Sequence, residues 1–424
     1  MSKLRIAVGG LGTVGSSLIE LLMGSADVEV VAVSARSKGR ERPVDITPYD
    51  WFDDPVAMAR SEGNDIFVEL MGGSDGVAKA SVEAALEAGK PVVTANKALI
   101  ATHGLALAKL AEEKGAALRY EAAVAGGVPI IRALRDGLAP TDITAIKGVL
   151  NGTCNFMLAE MEKGRSYDDA LEEAQRIGFA EADPTMDVGG IDAAQKLAIL
   201  SALAFGVLPS LDEMDITGID VLSTEDIAAA LDLGLITKLV AEATRKDNGI
   251  AFTVGPALVP ETDPLDIGSG GENIIIADAI PLGRVALSGP GAGGGATASA
   301  VAADINTIAR GSTGPVFARP ASELTAEAPK ASGHDRNLFI RATVADGPGI
   351  LAELTQALGQ EKISVETIRQ RPSTAPELEG FIEVVITTAP APRSIIRQLS
   401  ETLSNLSVVR ERASVYPILE EVSA

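Results

Sequence analysis

Short apolar runs alternate with amphipathic stretches along the first third of the chain. The runs at residues 4–8, 28–33, 66–71 and 91–94 predict buried strands, and the stretches at 12–23, 77–88 and 104–114 predict helices. Strands that alternate with helices are typical of a parallel sheet covered on both faces. The pattern therefore predicts a doubly wound α/β fold for residues 1 to about 125.

The middle of the chain, from about residue 130 to 312, mixes longer helices with strand-like runs at 143–149 and 274–277. A glycine-rich loop at 289–295 precedes a helix predicted over 297–308. That helix has few polar residues, so we expect it to pack back on the first domain. We predict a first domain at 1–130, completed by 290–312, and a second, α+β domain at 131–312.

The last quarter of the chain has a different pattern of predicted elements. Residues 315–336 are rich in Pro, Ala and Glu and lose periodicity, which indicates a linker over 313–336. Beyond it the order is β-α-β-β-α-β, with strands at 338–344, 364–370, 381–388 and 408–416 and helices at 350–360 and 394–403. This order predicts a ferredoxin-like module over 337–424.

Composition narrows the class of protein. The 424 residues suggest two to four domains, and 58 Asp and Glu against 36 Lys and Arg give a net charge of -22. Such a charge disfavours nucleic acid and anionic membranes as partners. The single cysteine, Cys154, fits a reducing cytosol, and two histidines exclude a clustered-histidine zinc site. No apolar run approaches the roughly 20 residues of a membrane span, and residues 1–5 lack a signal-peptide layout, so we expect a cytoplasmic protein.

A glycine motif follows the first predicted strand. Gly10, Gly12 and Gly15 allow a tight turn, close approach of the backbone to a pyrophosphate, and close packing of helix on strand. Thr13 and Val14 open the helix, whose free N–H groups and partial positive charge attract phosphate. The motif predicts a dinucleotide site, and a glycine turn in an unrelated α/β fold is the alternative.

Basic residues follow two of the predicted strands. Arg36 and Lys38 come after the second strand, where an NAD site would place an acid, so they favour the 2′-phosphate of NADP; a solvated basic turn is the alternative. Thr94 and Lys97 lie past a later strand, at the edge where open parallel sheets bind ligands. Lys97 is a candidate contact for cofactor or substrate, and an ordinary surface lysine is the alternative.

Acidic residues crowd the segment 178–196. Glu181 and Asp187 precede Asp192, which shares a helix face with Lys196 one turn later. The residues that follow are almost wholly apolar, so we expect the pair to be buried and to serve as a proton relay that also recognises an ammonium group. An exposed helix bridge is the alternative.

A cluster of small polar residues at 148–155 is a further candidate. Thr153 could hold a carboxylate near a helix start. Cys154 could be a nucleophile, but no histidine lies nearby in the sequence, and a buried, inert thiol is the favoured interpretation.

Together these motifs resemble the homoserine dehydrogenase family over nearly the whole chain. The matching stretches are residues 10–15, 94–97, 121–129, 148–155, 178–196 and 289–294. Residues 337–424 look like an ACT domain, with Asp-Gly-Pro-Gly-Ile-Leu at 346–351 in the turn into its first helix. The resemblance implies a Rossmann dinucleotide-binding domain, a catalytic and oligomerisation domain, and an ACT regulatory domain, in that order.

The resemblance also implies a reaction and roles for its residues. The reaction is NAD(P)H-dependent interconversion of aspartate 4-semialdehyde and homoserine, in the synthesis of threonine, methionine and isoleucine. Lys196 would donate a proton to the aldehyde oxygen, with Lys97 assisting. Glu181, Asp187 and Asp192 would hold the substrate ammonium and hydroxyl, with Thr153 against the same pocket.

Further ligands follow from the same resemblance. Gly178 and Gly291 would touch the nicotinamide side of the cofactor. A sodium ion would lie at the segment that begins at Glu121, held mostly by backbone oxygens of Val124, Gly126 and Val128. Threonine is the expected effector of the ACT domain, and the expected assembly is a homo-oligomer, a dimer or a tetramer.

Two other functions remain open at this point. A semialdehyde dehydrogenase would use Cys154 as its nucleophile and would need a histidine partner, for which His103 is poorly placed. A non-catalytic amino-acid sensor would bind its ligand in the C-terminal module, although the intact Glu181, Asp192 and Lys196 argue against lost catalysis.

Overall fold

The computed structural model describes residues 3–247, 249–266, 270–312, 314–331, 333–372 and 379–419. The strands are β1 (Leu4–Gly9), β2 (Val28–Ser34), β3 (Asp50–Phe52), β4 (Ile66–Glu69), β5 (Val92–Thr94), β6 (Leu118–Arg119), β7 (Asp142–Val149), β8 (Asp215–Ile216), β9 (Leu235–Lys246), β10 (Gly249–Pro260), β11 (Glu272–Ile280), β12 (Gly283–Pro290), β13 (Asn337–Ala345), β14 (Val365–Pro372), β15 (Phe381–Thr388) and β16 (Ser414–Ile418). The helices are α1 (Thr13–Leu22), α2 (Pro55–Arg60), α3 (Val77–Glu87), α4 (Lys97–Lys114), α5 (Ile130–Arg132), α6 (Gly152–Glu162), α7 (Tyr167–Arg176), α8 (Thr185–Val188), α9 (Ile191–Phe205), α10 (Thr224–Leu231), α11 (Gly294–Ala309), α12 (Ile350–Gln360) and α13 (Ile396–Ser404).

The chain divides into two compact units. Unit 1 comprises Met1–Gly152, Ile191–Met214 and Gly271–Ala328, and unit 2 comprises Thr153–Gly190, Asp215–Gly270 and Pro329–Ala424. Each unit has its own hydrophobic core. Within the described ranges, no helix is both long and apolar enough to cross a membrane.

Unit 1 is built on a six-stranded sheet in the order β3-β2-β1-β4-β5-β6, with every pair of neighbours parallel. The strand order reverses between β1 and β4, and in such sheets ligands bind at the carboxyl ends of the strands beside that reversal. The predicted parallel α/β sheet is therefore confirmed. Unit 1 also contains three antiparallel strands in which β11 lies between β7 and β12.

Helix α11 packs on α1. A Cβ at Gly294 would approach Ser17 Oγ to 2.8 Å, so the glycine allows the two helices to lie in close contact. Ala298 and Val301 of α11 join the same apolar core as Leu18 of α1. The helix that follows the glycine-rich loop thus helps to cover the parallel sheet.

Helix α4 begins seven residues earlier than its hydrophobic pattern indicates. The side-chain oxygen of Asn96 accepts a hydrogen bond from the Leu99 N–H at 3.0 Å, which caps the helix so that Lys97 is its first residue. The prediction of a start at 104 was wrong because the cap, rather than the apolar periodicity, sets the boundary.

The segment expected to be a linker is partly buried. Val316 and Phe317 lie in the interior of unit 1, where the Tyr120 hydroxyl donates to the Val316 carbonyl at 2.8 Å and the Tyr120 and Phe317 rings are 5.3 Å apart. This part of the segment is held by packing. The domain boundaries proposed from the sequence stay predictions.

Unit 2 contains a long antiparallel hairpin, β9–β10, and a ferredoxin-like module. The module pairs its strands in the order β16-β13-β15-β14, with α12 and α13 contributing to its core. Strand β10 continues this sheet by pairing Leu258 with Ile418 of β16. The predicted β-α-β-β-α-β order is confirmed.

The last strand of the module differs from its prediction. Strand β16 covers Ser414–Ile418, whereas the sequence pattern placed it at 408–416. Val409 forms an isolated antiparallel bridge with Val344, flanked by the bonds Ala345 N–H to Val408 carbonyl and Arg410 N–H to Thr343 carbonyl, so residues 408–410 already pair with β13. The pairing is interrupted at 411–413, and the regular strand begins only at Ser414.

Candidate active site

Two lysines and one carboxylate meet within unit 1. Lys196 Nζ lies 2.8 Å from Asp192 Oδ2, and Lys97 Nζ lies 3.3 Å from Asp192 Oδ1. Asp192 and Lys196 are one turn apart on α9, and Lys97 is the first residue of α4, just past the carboxyl end of β5. The structure thus brings together three residues that the sequence singled out separately.

The pair on α9 is buried, as its apolar surroundings predicted. The Asp192 side chain is 8% exposed and that of Lys196 12%, whereas Lys97 is 39% exposed. Burial alone would raise the pKa of Asp192, but the two neighbouring ammonium groups outweigh it and hold the pKa below its ordinary value. Asp192 is therefore an anion that anchors two cations.

Residues at the end of β7 complete this cluster. The Leu150 carbonyl accepts a hydrogen bond from Lys196 Nζ at 2.6 Å, and Asn151 Nδ2 donates to Asp192 Oδ2 at 2.9 Å. Sequence reasoning did not assign either residue. The available signal was their position directly after a buried strand, in a run of small polar residues.

The glycine motif has the geometry of a dinucleotide loop. Gly10 has φ +108°, and a Cβ there would lie 2.4 Å from the Leu70 oxygen; a Cβ at Gly15 would lie 2.1 Å from the Gly10 oxygen. Gly12 faces open space, and no side chain caps the start of α1 at Thr13 and Val14. The N–H groups at this helix start therefore remain available to an anion.

A basic loop follows β2. Arg36 and Lys38 are exposed, and Lys38 Nζ lies 5.8 Å from the centre of the Trp51 ring. Arg42, which sequence reasoning missed, donates to the Ser37 carbonyl at 2.5 Å and also lies 5.8 Å from the Trp51 ring. These contacts fix the conformation of the loop, which places its basic residues at the carboxyl end of β2.

Thr94 belongs to a buried polar network at the end of β5. Its hydroxyl donates to Glu69 Oε2 at 2.6 Å and accepts from the Asn96 N–H at 2.9 Å. The other Glu69 oxygen accepts from the N–H groups of Met71 and Gly72. Thr94 thus fixes the turn that carries Lys97, and Glu69 is a positioning residue that sequence reasoning missed.

The remaining acidic candidates lie in unit 2. Glu181 is exposed and Asp187 is half-buried, in the segment that follows Gly178, whose φ is +81°. The Thr153 hydroxyl donates to the Phe179 carbonyl at 2.8 Å, which ties α6 to this segment. Their assembly with Lys196 stays a prediction.

Cys154 is buried, and its thiol lies 3.2 Å from the Asp187 carbonyl oxygen. This burial fits the interpretation as an inert thiol. It disfavours Cys154 as the nucleophile of a semialdehyde dehydrogenase, since an attacking thiolate must be reached by its substrate.

Glu121 acts as a helix cap. Its two carboxylate oxygens accept hydrogen bonds from the N–H groups of Ile131 and Arg132, each at 2.9 Å. Burial, with the negative charge of Asp304 nearby, raises the pKa of Glu121 to about 7. Arg132 Nε is 3.9 Å from this carboxylate.

The backbone beyond Glu121 is the segment where sodium was expected. Among the described residues, the carbonyls of Val124 and Gly126 accept no backbone hydrogen bond, whereas the Val128 carbonyl accepts from Ile130 N–H at 2.8 Å. Two free carbonyls fit a cation held by backbone oxygens. No group of three or more His, Cys, Asp or Glu side chains that could hold a metal ion is found in the described part of the chain.

Gly291 lies directly against this segment. A Cβ at Gly126 would come within 2.6 Å of the Gly291 oxygen, and a Cβ at Gly291 would lie 2.1 Å from Asn273 Oδ1. Gly126 therefore permits a close approach to the backbone at Gly291, and Gly291 leaves room for the Asn273 side chain. A larger residue at Gly126 would force the two backbone segments apart.

Models of three protein families match this chain. The homoserine dehydrogenase model matches residues 129–306, the model of the homoserine dehydrogenase NAD-binding domain matches 10–121, and the ACT domain model matches 339–403. The matches to a dehydrogenase model and to an NAD-binding domain model place the chain in the class of nicotinamide-dependent dehydrogenases. The third model identifies residues 339–403 as an ACT domain.

Similar proteins agree with these models. The homoserine dehydrogenase of Pseudomonas aeruginosa is 36% identical, over 96% of each chain. A crystal structure of a homoserine dehydrogenase from Thiobacillus denitrificans superposes with a TM-score of 0.89 at 33% identity, over 99% of each chain. A hyperthermophilic archaeal homoserine dehydrogenase in complex with NADPH has a TM-score of 0.65 at 29% identity, over 73% of this chain and 99% of its own. The chain belongs to the homoserine dehydrogenase family of oxidoreductases.

Proposed function

We propose that the protein interconverts L-aspartate 4-semialdehyde and L-homoserine with Lys196 as the proton donor. The observation that carries this proposal is the anchoring of Lys196 by Asp192 at 2.8 Å, with Lys97 on the other oxygen of the same carboxylate. Both ammonium groups belong to the unit that carries the dinucleotide loop. This reaction belongs to the synthesis of threonine, methionine and isoleucine.

The chemistry requires positive charge beside the aldehyde oxygen. Reduced nicotinamide, when bound, supplies a hydride to the aldehyde carbon. The oxygen then carries growing negative charge, which the Lys196 ammonium stabilises and neutralises by donating a proton. In the reverse direction Lys196 takes the hydroxyl proton of homoserine.

The neighbours of Lys196 set its position. Asp192 and the Leu150 carbonyl both accept hydrogen bonds from Nζ, so the ammonium is held by two acceptors. Lys97 adds a second positive charge at the mouth of the site, since its side chain is the more exposed of the two. The cluster thus separates a buried donor from an outer cation.

The substrate ammonium and hydroxyl are assigned to acidic residues. These residues are Asp192, Glu181 and Asp187. The segment that carries Glu181 and Asp187 is joined to α6 by the hydrogen bond from the Thr153 hydroxyl to the Phe179 carbonyl. An ammonium group binds best between carboxylates, because each charge-assisted hydrogen bond is stronger than a neutral one. Gly178 and Gly291 are assigned to the nicotinamide side of the cofactor.

NADP is the proposed cofactor in preference to NAD. Exposed Arg36 and Lys38 lie where the ribose of the adenosine is expected, and Arg42 shapes their loop. A guanidinium group can bind a 2′-phosphate through two parallel hydrogen bonds.

A sodium ion, threonine regulation and an oligomer belong to the same proposal. The carbonyls of Val124 and Gly126 would hold sodium with that of Val128, next to the Glu121 cap, and would thereby stiffen the segment against Gly291. Threonine is the proposed effector of the ACT module, and the proposed assembly is a dimer or a tetramer. The single cysteine supports a cytoplasmic location.

The reduced-nicotinamide absorbance tests the reaction directly. Homoserine is added to the full-length protein with NADP or NAD, with and without threonine. We expect homoserine-dependent turnover, faster with NADP at limiting cofactor, and inhibition by threonine. Absence of turnover in folded protein that binds NADPH would overturn the enzymatic proposal and favour a sensor.

A further inference from the structure

A basic cleft lies in unit 2 and is lined by none of the residues proposed for the substrate or the cofactor. We call it the α13 cleft and define it by Asp215, Thr217, Arg393, Arg397, Arg412 and Tyr416. Its volume is about 460 Å³, within the range of small-molecule sites. Strand β8, strand β16 and the start of α13 form its walls.

The charges of the cleft are unbalanced. Arg393 Nε lies 3.7 Å and Arg397 NH2 lies 3.9 Å from the two oxygens of one carboxylate, Asp215. Arg412 has no carboxylate within ion-pair distance among the described residues. The charge of Glu242 also acts on Arg393, but that carboxylate is paired with Arg336 at 2.9 Å. Three guanidinium groups therefore line the cleft with one carboxylate, in a protein whose net charge is -22.

One of these arginines is buried without a full set of partners. The Nε of Arg393 is shielded from solvent and has no hydrogen-bond partner in the described part of the chain. Gly255 lets the guanidinium lie close to β10, because a Cβ there would come within 3.1 Å of Arg393 NH2. Burial lowers the pKa of Arg393 below its ordinary value, and the nearby charges of Asp215 and Glu242 only partly oppose this shift.

The start of α13 adds further donors. A single 3-10 turn, Arg393–Ile395, leads into the helix, and the Ile395 N–H is bonded to the Pro392 carbonyl. The N–H groups of Arg393 and Ser394 precede that bond and are the free donors expected at a helix start. Helix N-termini also carry partial positive charge, which favours an anion.

We propose that the α13 cleft binds a small dianion, a dicarboxylate or a phosphate group, through Arg393, Arg397 and Arg412. Two negative charges would match the two guanidinium groups that Asp215 leaves uncompensated. The ligand would contact both the ACT module, through α13 and Arg412, and strand β8. The site is separate from the proposed substrate and cofactor residues, and its test does not depend on turnover.

Calorimetric titration of the full-length protein with succinate and with inorganic phosphate, in a buffer low in chloride, tests the proposal. Succinamide, which has the size of succinate without its charges, is the neutral control. The variants are Arg397→Gln and Arg412→Gln, whose side chains are exposed, and Arg176→Gln on α7 is the matched exposed control.

We expect saturable binding of succinate, phosphate or both, none of succinamide, and about a tenfold rise in Kd in each cleft variant. Binding of succinate alone would identify a dicarboxylate, and binding of phosphate alone a phosphate group. Two results would overturn the proposal: no saturable binding of either anion, or equal Kd values in the wild type and both cleft variants.

Discussion

Replacing Asp192 by asparagine removes one negative charge from between two ammonium groups and keeps the size of the side chain. In the native protein this carboxylate is 2.8 Å from Lys196 Nζ, 3.3 Å from Lys97 Nζ and 2.9 Å from Asn151 Nδ2. The variant leaves Lys196 buried beside a second cation without its counter-charge. We expect unit 1 to lose stability.

The contact distances give the size of the effect. With an effective dielectric constant of about 20, Coulomb's law gives roughly 6 kcal/mol for charges 2.8 Å apart, before the cost of desolvation. Loss of one partner from a buried pair costs about 3–5 kcal/mol. Lys97 is 39% exposed and therefore screened, so we expect the free energy of unfolding to fall by about 3 kcal/mol at pH 7.

The effect has a defined pH dependence. Because the pKa of Asp192 is lower in the folded protein than in the unfolded chain, its stabilising contribution is complete above the unfolded pKa of about 3.9. The contribution is lost as the pH falls through the folded pKa. The difference between wild type and Asp192→Asn should therefore shrink as the pH falls below about 4.

Trp51 provides the assay. It is the single tryptophan of the chain and lies in β3, so its fluorescence during urea denaturation follows unit 1. Asp27→Asn, at an exposed position of the same unit, is the matched control. Equal unfolding of wild type and Asp192→Asn at pH 7, or a difference at pH 3 as large as the difference at pH 7, would refute the reasoning.

Three further predictions concern the cofactor loop and the outer lysine. Arg36→Ala should raise the KM for NADPH while that for NADH barely moves, and equal changes would contradict a 2′-phosphate contact. Gly12→Ala should fold normally, because its Cβ enters open space, and should lose NADPH affinity in a titration. Gly15→Ala should unfold at a lower urea concentration, because its Cβ would lie 2.1 Å from a backbone oxygen. Wild-type NADPH affinity in Gly12→Ala would count against the loop as the pyrophosphate site. Lys97→Met should lower kcat by about tenfold, whereas Lys114→Met, at the other end of the same helix, should leave kcat unchanged. An unaffected kcat in Lys97→Met would show that Lys97 does not belong to the active site.

Local patterns were sufficient for much of the fold. Alternating apolar runs indicated the parallel sheet, and a helical spacing of four residues placed Asp192 beside Lys196. These features depend on neighbours in sequence. The sequence also contains the helix-capping residue Asn96, but the start of α4 was predicted from hydrophobic periodicity and was therefore placed too late.

Other features depend on contacts between distant residues. Glu69 gave no sign in the sequence that its carboxylate would bind Thr94, 25 positions later. The α13 cleft joins Asp215 to Arg393, and nothing in either local sequence predicts that meeting. The start of strand β16 was placed too early because the pairing of Val409 with Val344 of β13 is interrupted before Ser414, and the local apolar pattern does not show that interruption.

The proton-donor role of Lys196 is the central claim, and the rate of reduction of aspartate 4-semialdehyde by Lys196→Met tests it most directly. NADPH binding is measured on the same sample, so that loss of the cofactor site is distinguished from loss of the donor. We predict that kcat falls by on the order of 10² or more while the Kd for NADPH stays near that of the wild type. Near-normal kcat in Lys196→Met would contradict the account.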